Sequence, residues 1–341
     1  CDCAIYYQHK PIYRHMAGFE DIEKTKPITV ETTYWLYSVT KLITVTAAMQ
    51  LVDNGSIDLD EPVYAYIPEY LHLKVKEGSE VRPTRQVMTI RHLFSMQSGL
   101  NYNITAPSIR KAISGSNHEA STLDIIRALA EEPLEFEPGT RYQYSLSHDV
   151  LGAVVEVVSG KPLDEYLSQY IFQPLGMKDT GFVLTPEKKD RMSQQFIYRS
   201  KSRTAKQIKK INSYTLTKNY KSGGAGLIST VNDCALFLDA MCNDGTSPNG
   251  YQLLSRKAID LMRSDQLSEN SRKYYEKPGY SYGLGVRTLI NKEDAGSKSS
   301  VGEFGWGGAA GSFALIDVEN KLGIFYAQHV LGCDYAYQIV H

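Results

Sequence analysis

Long apolar runs, paired cysteines and an excess of either charge are all missing from this 341-residue sequence. No segment reaches the roughly 18 apolar residues that a bilayer span requires, and the longest apolar stretch, Leu42 to Val52, fits a buried core helix. The first residues do not read as a signal peptide. Cysteine is sparse: Cys1, Cys3, Cys234, Cys242 and Cys333 make an odd number, and none has the C-x2-C spacing of a zinc site. Cys1-Asp2-Cys3 has the wrong spacing for a redox pair, so no metal and no cofactor is expected. Unlinked thiols lean toward a reducing compartment, which makes a cytoplasmic location the expectation. With 37 Lys+Arg against 38 Asp+Glu the formal charge is -1, which leaves no electrostatic footprint for nucleic acid or an anionic membrane. The densest basic stretch, Arg199 to Lys210, has no interleaved aromatics and reads as a solvated loop.

What the chain does have is enough apolar residues, 42% against 22% charged, to bury a core, and a length that admits two lobes. Ala4 to Gln8 and Pro11 to Gly18 read as paired strands joined at His9-Lys10. From Ser38 a helix apolar on nearly all sides runs to Asn54-Gly55, which stops it. Prolines then punctuate short helical segments: Ile90 to Met96, Leu123 to Ala130, Val150 to Val158. After Gly223-Gly224-Ala225-Gly226, Thr230 and Asp233 resemble a capping box that opens a helix to about Met241. Strands follow at Tyr282 to Thr288, Ser312 to Val318 and Lys321 to Gln328, the last two joined as a hairpin about Glu319-Asn320. The expected fold class is α+β: residues 1–60 and 221–341 form one discontinuous domain with an antiparallel sheet flanked by helices, and 61–220 form a mainly helical domain. Cys1 runs almost directly into a strand and Tyr335 to His341 breaks off where a closing helix would begin, so the chain reads as trimmed at both ends.

Ser38-Val39-Thr40-Lys41 is an S-x-x-K pattern, whose i, i+3 spacing on a helix sets a hydroxyl beside an amine. A serine hydroxyl needs a base to become a nucleophile, and lysine serves when burial or a nearby cation keeps it neutral. A place in the first helical turn adds the positive end of the helix dipole and a backbone N–H for a developing oxyanion. The pattern occurs twice, but Ser108-Ile109-Arg110-Lys111 follows Pro107 in a polar stretch with nothing apolar to desolvate Lys111. A second decoy, Gly279-Tyr280-Ser281-Tyr282-Gly283, matches G-x-S-x-G but lacks the strand before and the helix after that a nucleophile elbow needs. His148 has no Ser-His-Asp arrangement around it. Asp58, Asp60 and Glu61 lack metal-loop spacing and read as caps of the turn after the buried helix.

Taken in order, Tyr37-Ser38-Val39-Thr40-Lys41, Leu51 to Val63, Thr89 to Leu100, Pro138 to Ser145, Pro174-Leu175-Gly176-Met177 and Trp306-Gly307-Gly308 resemble the serine β-lactamase superfamily. The likeness lies in its class C and penicillin-binding-protein-like branch and covers nearly the whole chain. It implies a β-lactamase/transpeptidase-like fold, a bacterial source, Ser38 as acyl-accepting nucleophile and Lys41 as its proton-shuttling neighbour. Tyr144 matches the second-motif tyrosine that relays protons to the leaving group. Either Lys41 or Tyr144, or the coupled pair, serves as base. Trp306-Gly307-Gly308-Ala309 aligns with the third motif: the glycines admit a carbonyl close to the backbone, and the Ala309 N–H pairs with that of Ser38 as an oxyanion hole.

Two departures bear on substrate. Leu146 stands where β-lactam-hydrolysing members have Asn, and Trp306 where they have a cation, and both losses weaken amide and carboxylate recognition. Tyr-Ser-Leu followed by Asp149, with Trp-Gly-Gly later, is more similar to the family VIII carboxylesterases and related acyltransferases. The expected activity is cleavage of a small ester through an acyl-enzyme on Ser38, with Trp306 as an apolar wall. Asp149 either supports the surroundings of Tyr144 or is a plain helix-start carboxylate. The alternatives are a β-lactamase, a D-Ala-D-Ala carboxypeptidase or D-aminopeptidase, and, in another class, a non-catalytic member that binds peptidoglycan or peptide. The expected partner is thus a small-molecule ester, β-lactam or peptide.

Overall fold

A tight turn sets one edge of the molecule. In the computed structural model, which describes residues 1–209 and 212–333, Asp2–Tyr7 (β1) and Lys10–Met16 (β2) pair antiparallel. Gln8 and His9 between them hold φ of +49° and +63°, the left-handed pair that a two-residue hairpin takes. Thr33–Trp35 (β3) leads through a 3₁₀ turn, Tyr37–Val39, into Thr40–Asp53 (α1). Leu42, Ile43, Val45, Ala47, Ala48 and Met49 of α1 are all buried, so this helix is surrounded by protein, as an all-round apolar pattern requires. Gly55, at φ +79°, ends it.

The middle of the chain opens with a hairpin of Lys74–Glu77 (β4) and Glu80–Pro83 (β5). Helices follow at Ile90–Phe94 (α2), Pro107–Gly115 (α3), Thr122–Leu129 (α4) and Ser147–Ser159 (α5). Shorter ones lie at Leu163–Leu167 (α6), Gln173–Leu175 (α7) and Pro186–Asp190 (α8). Gln195–Arg199 (β6) and Thr204–Ile208 (β7) form a further hairpin. Ile228–Thr230 (β8) then pairs with β3 and runs into Val231–Cys242 (α9). The last strands are Tyr280–Tyr282 (β9), Arg287–Leu289 (β10), Phe304–Gly307 (β11), Phe313–Asp317 (β12), Leu322–Ala327 (β13) and Val330–Leu331 (β14).

One seven-stranded antiparallel sheet has the order β2-β1-β13-β12-β11-β10-β9. All its strands come from the two ends of the chain, α9 packs on β1, β12 and β13, and α1 packs on α5 from the middle of the chain. Among the described residues no helix is long and apolar enough to cross a membrane.

Several expectations change in detail. Ser38 stands in the 3₁₀ turn before α1, not on α1 itself. The single strand expected at Tyr282 to Thr288 is two, because Gly283 N–H reaches Val286 O at 2.8 Å and Gly285 takes φ +84°, folding the chain back. Arg199 to Lys210 is not a plain loop: most of it is the exposed β6-β7 hairpin, while Lys210 lies outside the described residues. Thr230 does cap α9, accepting from Asp233 N–H at 3.1 Å, but the Asp233 carboxylate turns away to Asp179 N–H and the Thr180 hydroxyl. The break expected at Tyr335 to His341 also lies outside the described residues.

Candidate active site

The site begins with a strained turn. Leu36 is tied to the β3-β8 region by its N–H to Leu227 O at 2.9 Å, and its carbonyl accepts from the Ser312 hydroxyl at 3.0 Å. Tyr37 then takes φ +47°, a left-handed conformation that costs a non-glycine residue about 1 kcal/mol or more and persists only where neighbours enforce it. They do so here: Gln195 Nε2 donates to the Tyr37 hydroxyl at 2.6 Å and the ring meets Tyr214 edge-on at 6.3 Å. The next residue, Ser38, is thereby half-buried at the head of α1.

One turn on, Lys41 is fully buried. Its Nζ donates to Gly224 O at 2.8 Å and to the Tyr102 hydroxyl at 2.9 Å, and lies 4.6 Å and 4.9 Å from the ring centres of Tyr144 and Tyr102. Those two rings stack nearly parallel, centroids 5.3 Å apart. Burial brings the Lys41 pKa down to about 7, and the negative charge of Asp149 works against that fall. Among the described residues Asp149 makes no direct ion pair. Its Oδ1 accepts from the Tyr220 hydroxyl at 2.8 Å, the Ser222 hydroxyl at 2.7 Å and Gly224 N–H at 3.2 Å, while buried Oδ2 has no hydrogen-bond partner among the described residues. A Cβ on Gly224 would lie 2.4 Å from that Oδ2 and 3.2 Å from Lys41 Nζ. Glycine is what lets the carboxylate and the amine approach each other.

Tyr144 precedes α5 and completes the cluster. Its hydroxyl accepts from Trp306 Nε1 at 3.3 Å, and the Ser38 side chain stands beside it in the same cavity. Burial drives its pKa well up, against the opposing pull of Ser38 and Trp306, so the phenol is protonated at neutral pH. Trp306 stacks on Tyr144 with centroids 5.5 Å apart and meets Tyr282 edge-on at 5.3 Å. Ser38, Tyr144, Trp306, Gly307 and Ala309 line one cavity of about 290 Å³ with Lys277, Arg287 and Phe313. Gly308 lies behind this wall, where a Cβ would stand 2.2 Å from Leu36 O.

The decoys fall elsewhere. Ser281 is buried on β9 with its hydroxyl on Asp265, and Ser108 lies in α3 with Lys111 exposed. His148 bonds Phe94 O at 3.0 Å and is held neutral, its pKa lowered to about 3 by burial and then by Lys41. Sequence reasoning missed Tyr102, which no spacing distinguishes from the other 23 tyrosines. Gly224 carried a signal in the Gly-Gly-Ala-Gly run, read only as a boundary. Lys277 and Arg287 were missed as well.

A large antiparallel sheet carrying helices, with a serine turn feeding a buried helix and a lysine one turn on, defines the β-lactamase/transpeptidase class of α+β proteins. The beta-lactamase family model matches residues 3–332, and the chain belongs to that family. It is 33% identical over 335 residues to esterase EstB of Burkholderia gladioli, covering 92% of this chain and 82% of that protein. Lovastatin esterase of Penicillium rubens is 26% identical over 362 residues, covering 97% and 89%. Among solved structures, EstCE1, a hydrolase with promiscuous acyltransferase activity, superposes with a TM-score of 0.80 at 24% identity, over 97% of this chain and 88% of that one.

Proposed function

We propose that the protein is a serine hydrolase that cleaves small esters through an acyl-enzyme on Ser38. The observation that carries this reading is the meeting of the Ser38 hydroxyl, the Tyr144 phenol and a buried lysine with a pKa of about 7. Ser38 Oγ attacks the ester carbonyl carbon and its proton passes to the neutral Lys41 amine. The oxyanion that forms sits by the backbone N–H groups of Ser38 and Ala309. When the C–O bond breaks, protonated Tyr144 gives its proton to the departing alkoxide and is recharged from Lys41. Water, or a second alcohol in acyl transfer, then repeats these steps in reverse and frees Ser38.

Tyr102 and Gly224 O act as positioning groups for the amine, and the aromatic walls of Tyr144, Trp306 and Phe313 favour an apolar acyl or alcohol group. The cavity volume of about 290 Å³ supports a small one. Leu146, buried where an amide-recognising member would carry Asn, supports esters over β-lactams. The test is labelling with a fluorophosphonate followed by peptide mapping, with p-nitrophenyl acetate and nitrocefin turnover measured in parallel. The adduct is expected on Ser38 and to vanish in Ser38→Ala, and ester turnover is expected to exceed nitrocefin turnover. An adduct on Ser281 or Ser108 contradicts the assignment.

A further inference from the structure

Among the described residues, two cations and no carboxylate line the cavity beside Ser38, and the two cations are not equivalent. Arg287 is 2% exposed, ion-paired with Glu303 and packed against the rings of Tyr280 and Phe313 at 4.9 Å and 5.1 Å. Its charge is balanced from behind and its position is fixed. Lys277 belongs to the loop before β9 and is exposed at the cavity mouth, and among the described residues no carboxylate pairs with its ammonium. Its Nζ lies 5.8 Å from the centre of the Trp306 ring, the ring that stacks on Tyr144. The unbalanced charge of the site therefore stands about one aromatic ring from the reacting serine and phenol.

That arrangement is unfavourable as it stands. Desolvation on its inward side and repulsion from Arg287 both disfavour the charged form of Lys277. An anion at the mouth relieves the repulsion and gains a charge-assisted contact. The cation absent at position 306 is in effect restored from another element, and Trp306 becomes the platform over which it is held.

We propose that Lys277, backed by Arg287, forms an anion subsite, so that the preferred substrates are esters carrying a carboxylate a short spacer away from the scissile bond. This rests on the ester-cleaving reading above and names the substrate class of the same site. Lys277 is a specificity residue here; its loss leaves the proton-transfer groups intact.

Two substrate pairs that differ in charge at similar size test this: 4-acetoxybenzoate against 4-acetoxybenzamide for a carboxylate on the alcohol part, and 4-nitrophenyl hydrogen adipate against 4-nitrophenyl hexanoate for one on the acyl part. In at least one pair the wild-type ratio of kcat/KM, charged over neutral, is expected to fall about tenfold in Lys277→Met and further in Lys277→Glu, the size of one charge-assisted contact. Raising the salt concentration is expected to erode the wild-type preference. The neutral substrate, measured on the same preparations, normalises for folding. Ratios that stay the same in wild type and both variants, in both pairs, overturn the subsite while leaving ester cleavage standing. Absence of turnover on every ester overturns the ester reading and the subsite with it.

Discussion

Lys41 and Asp149 face each other across a space that only a glycine leaves open, and their coupling fixes a pH dependence. With a pKa of about 7, the Lys41 amine is protonated below that value and free above it. If the free amine accepts the Ser38 proton, kcat/KM rises with pH through a limb near 7. Asp149 holds that pKa up, so Asp149→Asn is expected to move the limb down, by about one pH unit. A pH profile of kcat/KM on p-nitrophenyl acetate measures this, and an unmoved or raised limb counts against Lys41 as base. Tyr102 offers a separate check. Its hydroxyl is one of two oxygens that hold the Lys41 amine, so Tyr102→Phe is expected to lower kcat about tenfold with little change in KM, as for a positioning group. An equal rise in KM with kcat intact would make Tyr102 a binding residue instead. Ser38 and Lys41 were proposed from an i, i+3 spacing read together with the apolar helix that follows, a context that the second S-x-x-K match lacks. Tyr102 reaches the same amine from 61 residues away, and no local pattern encodes that contact.

The junction between β11 and the serine turn is where elements, more than single side chains, set the geometry. Gly308 N–H reaches Ser312 O at 2.7 Å, Ser312 holds Leu36 O, and Leu36 opens the turn that presents Ser38. A Cβ on Gly308 would fall 2.2 Å from both Leu36 O and Ser312 Oγ, so Gly308→Ala must push strand and turn apart. The expected cost is about 1–3 kcal/mol of stability, read as a lowered Tm, with a larger proportional loss of kcat because the displaced segment carries Ser38, the proposed nucleophile. Unchanged Tm and kcat would show that the junction has slack. At this scale the sequence was readable where an element is long and its pattern strong: α1, α5, α9, the β1-β2 hairpin and the β12-β13 hairpin. It was not where strands run three residues, as in β3, β8, β9 and β10. A segment that short has too few alternations to declare itself and is fixed by a distant partner.

Over the whole molecule, the candidate site is assembled from two parts of the chain. Ser38, Lys41, Gly224 and Trp306 come from residues 1–60 and 221–341, whereas Tyr102, Tyr144 and Asp149 come from 61–220. The order of the seven-stranded sheet lay beyond any local pattern, since β1 pairs with β13 across nearly the full chain. We propose that the two parts are lobes of one cooperative unit. A single hydrophobic cluster runs from Leu42 and Met49 of α1 through Val150 and Val154 of α5 to Phe325 of β13, and α1 is too apolar to remain stable with one side stripped. The chain supplies its own probes for this. Its two tryptophans, Trp35 and Trp306, both lie in the sheet-bearing part, while α2 to α8 of the middle part contribute much of the far-ultraviolet circular dichroism. In a guanidinium titration, tryptophan fluorescence, circular dichroism at about 222 nm and esterase activity are expected to be lost in coincident transitions, the signature of two-state unfolding. A dichroism transition that precedes or trails the fluorescence change would mean that the lobes unfold separately. The site would then depend on their docking, and activity would follow whichever lobe melts first.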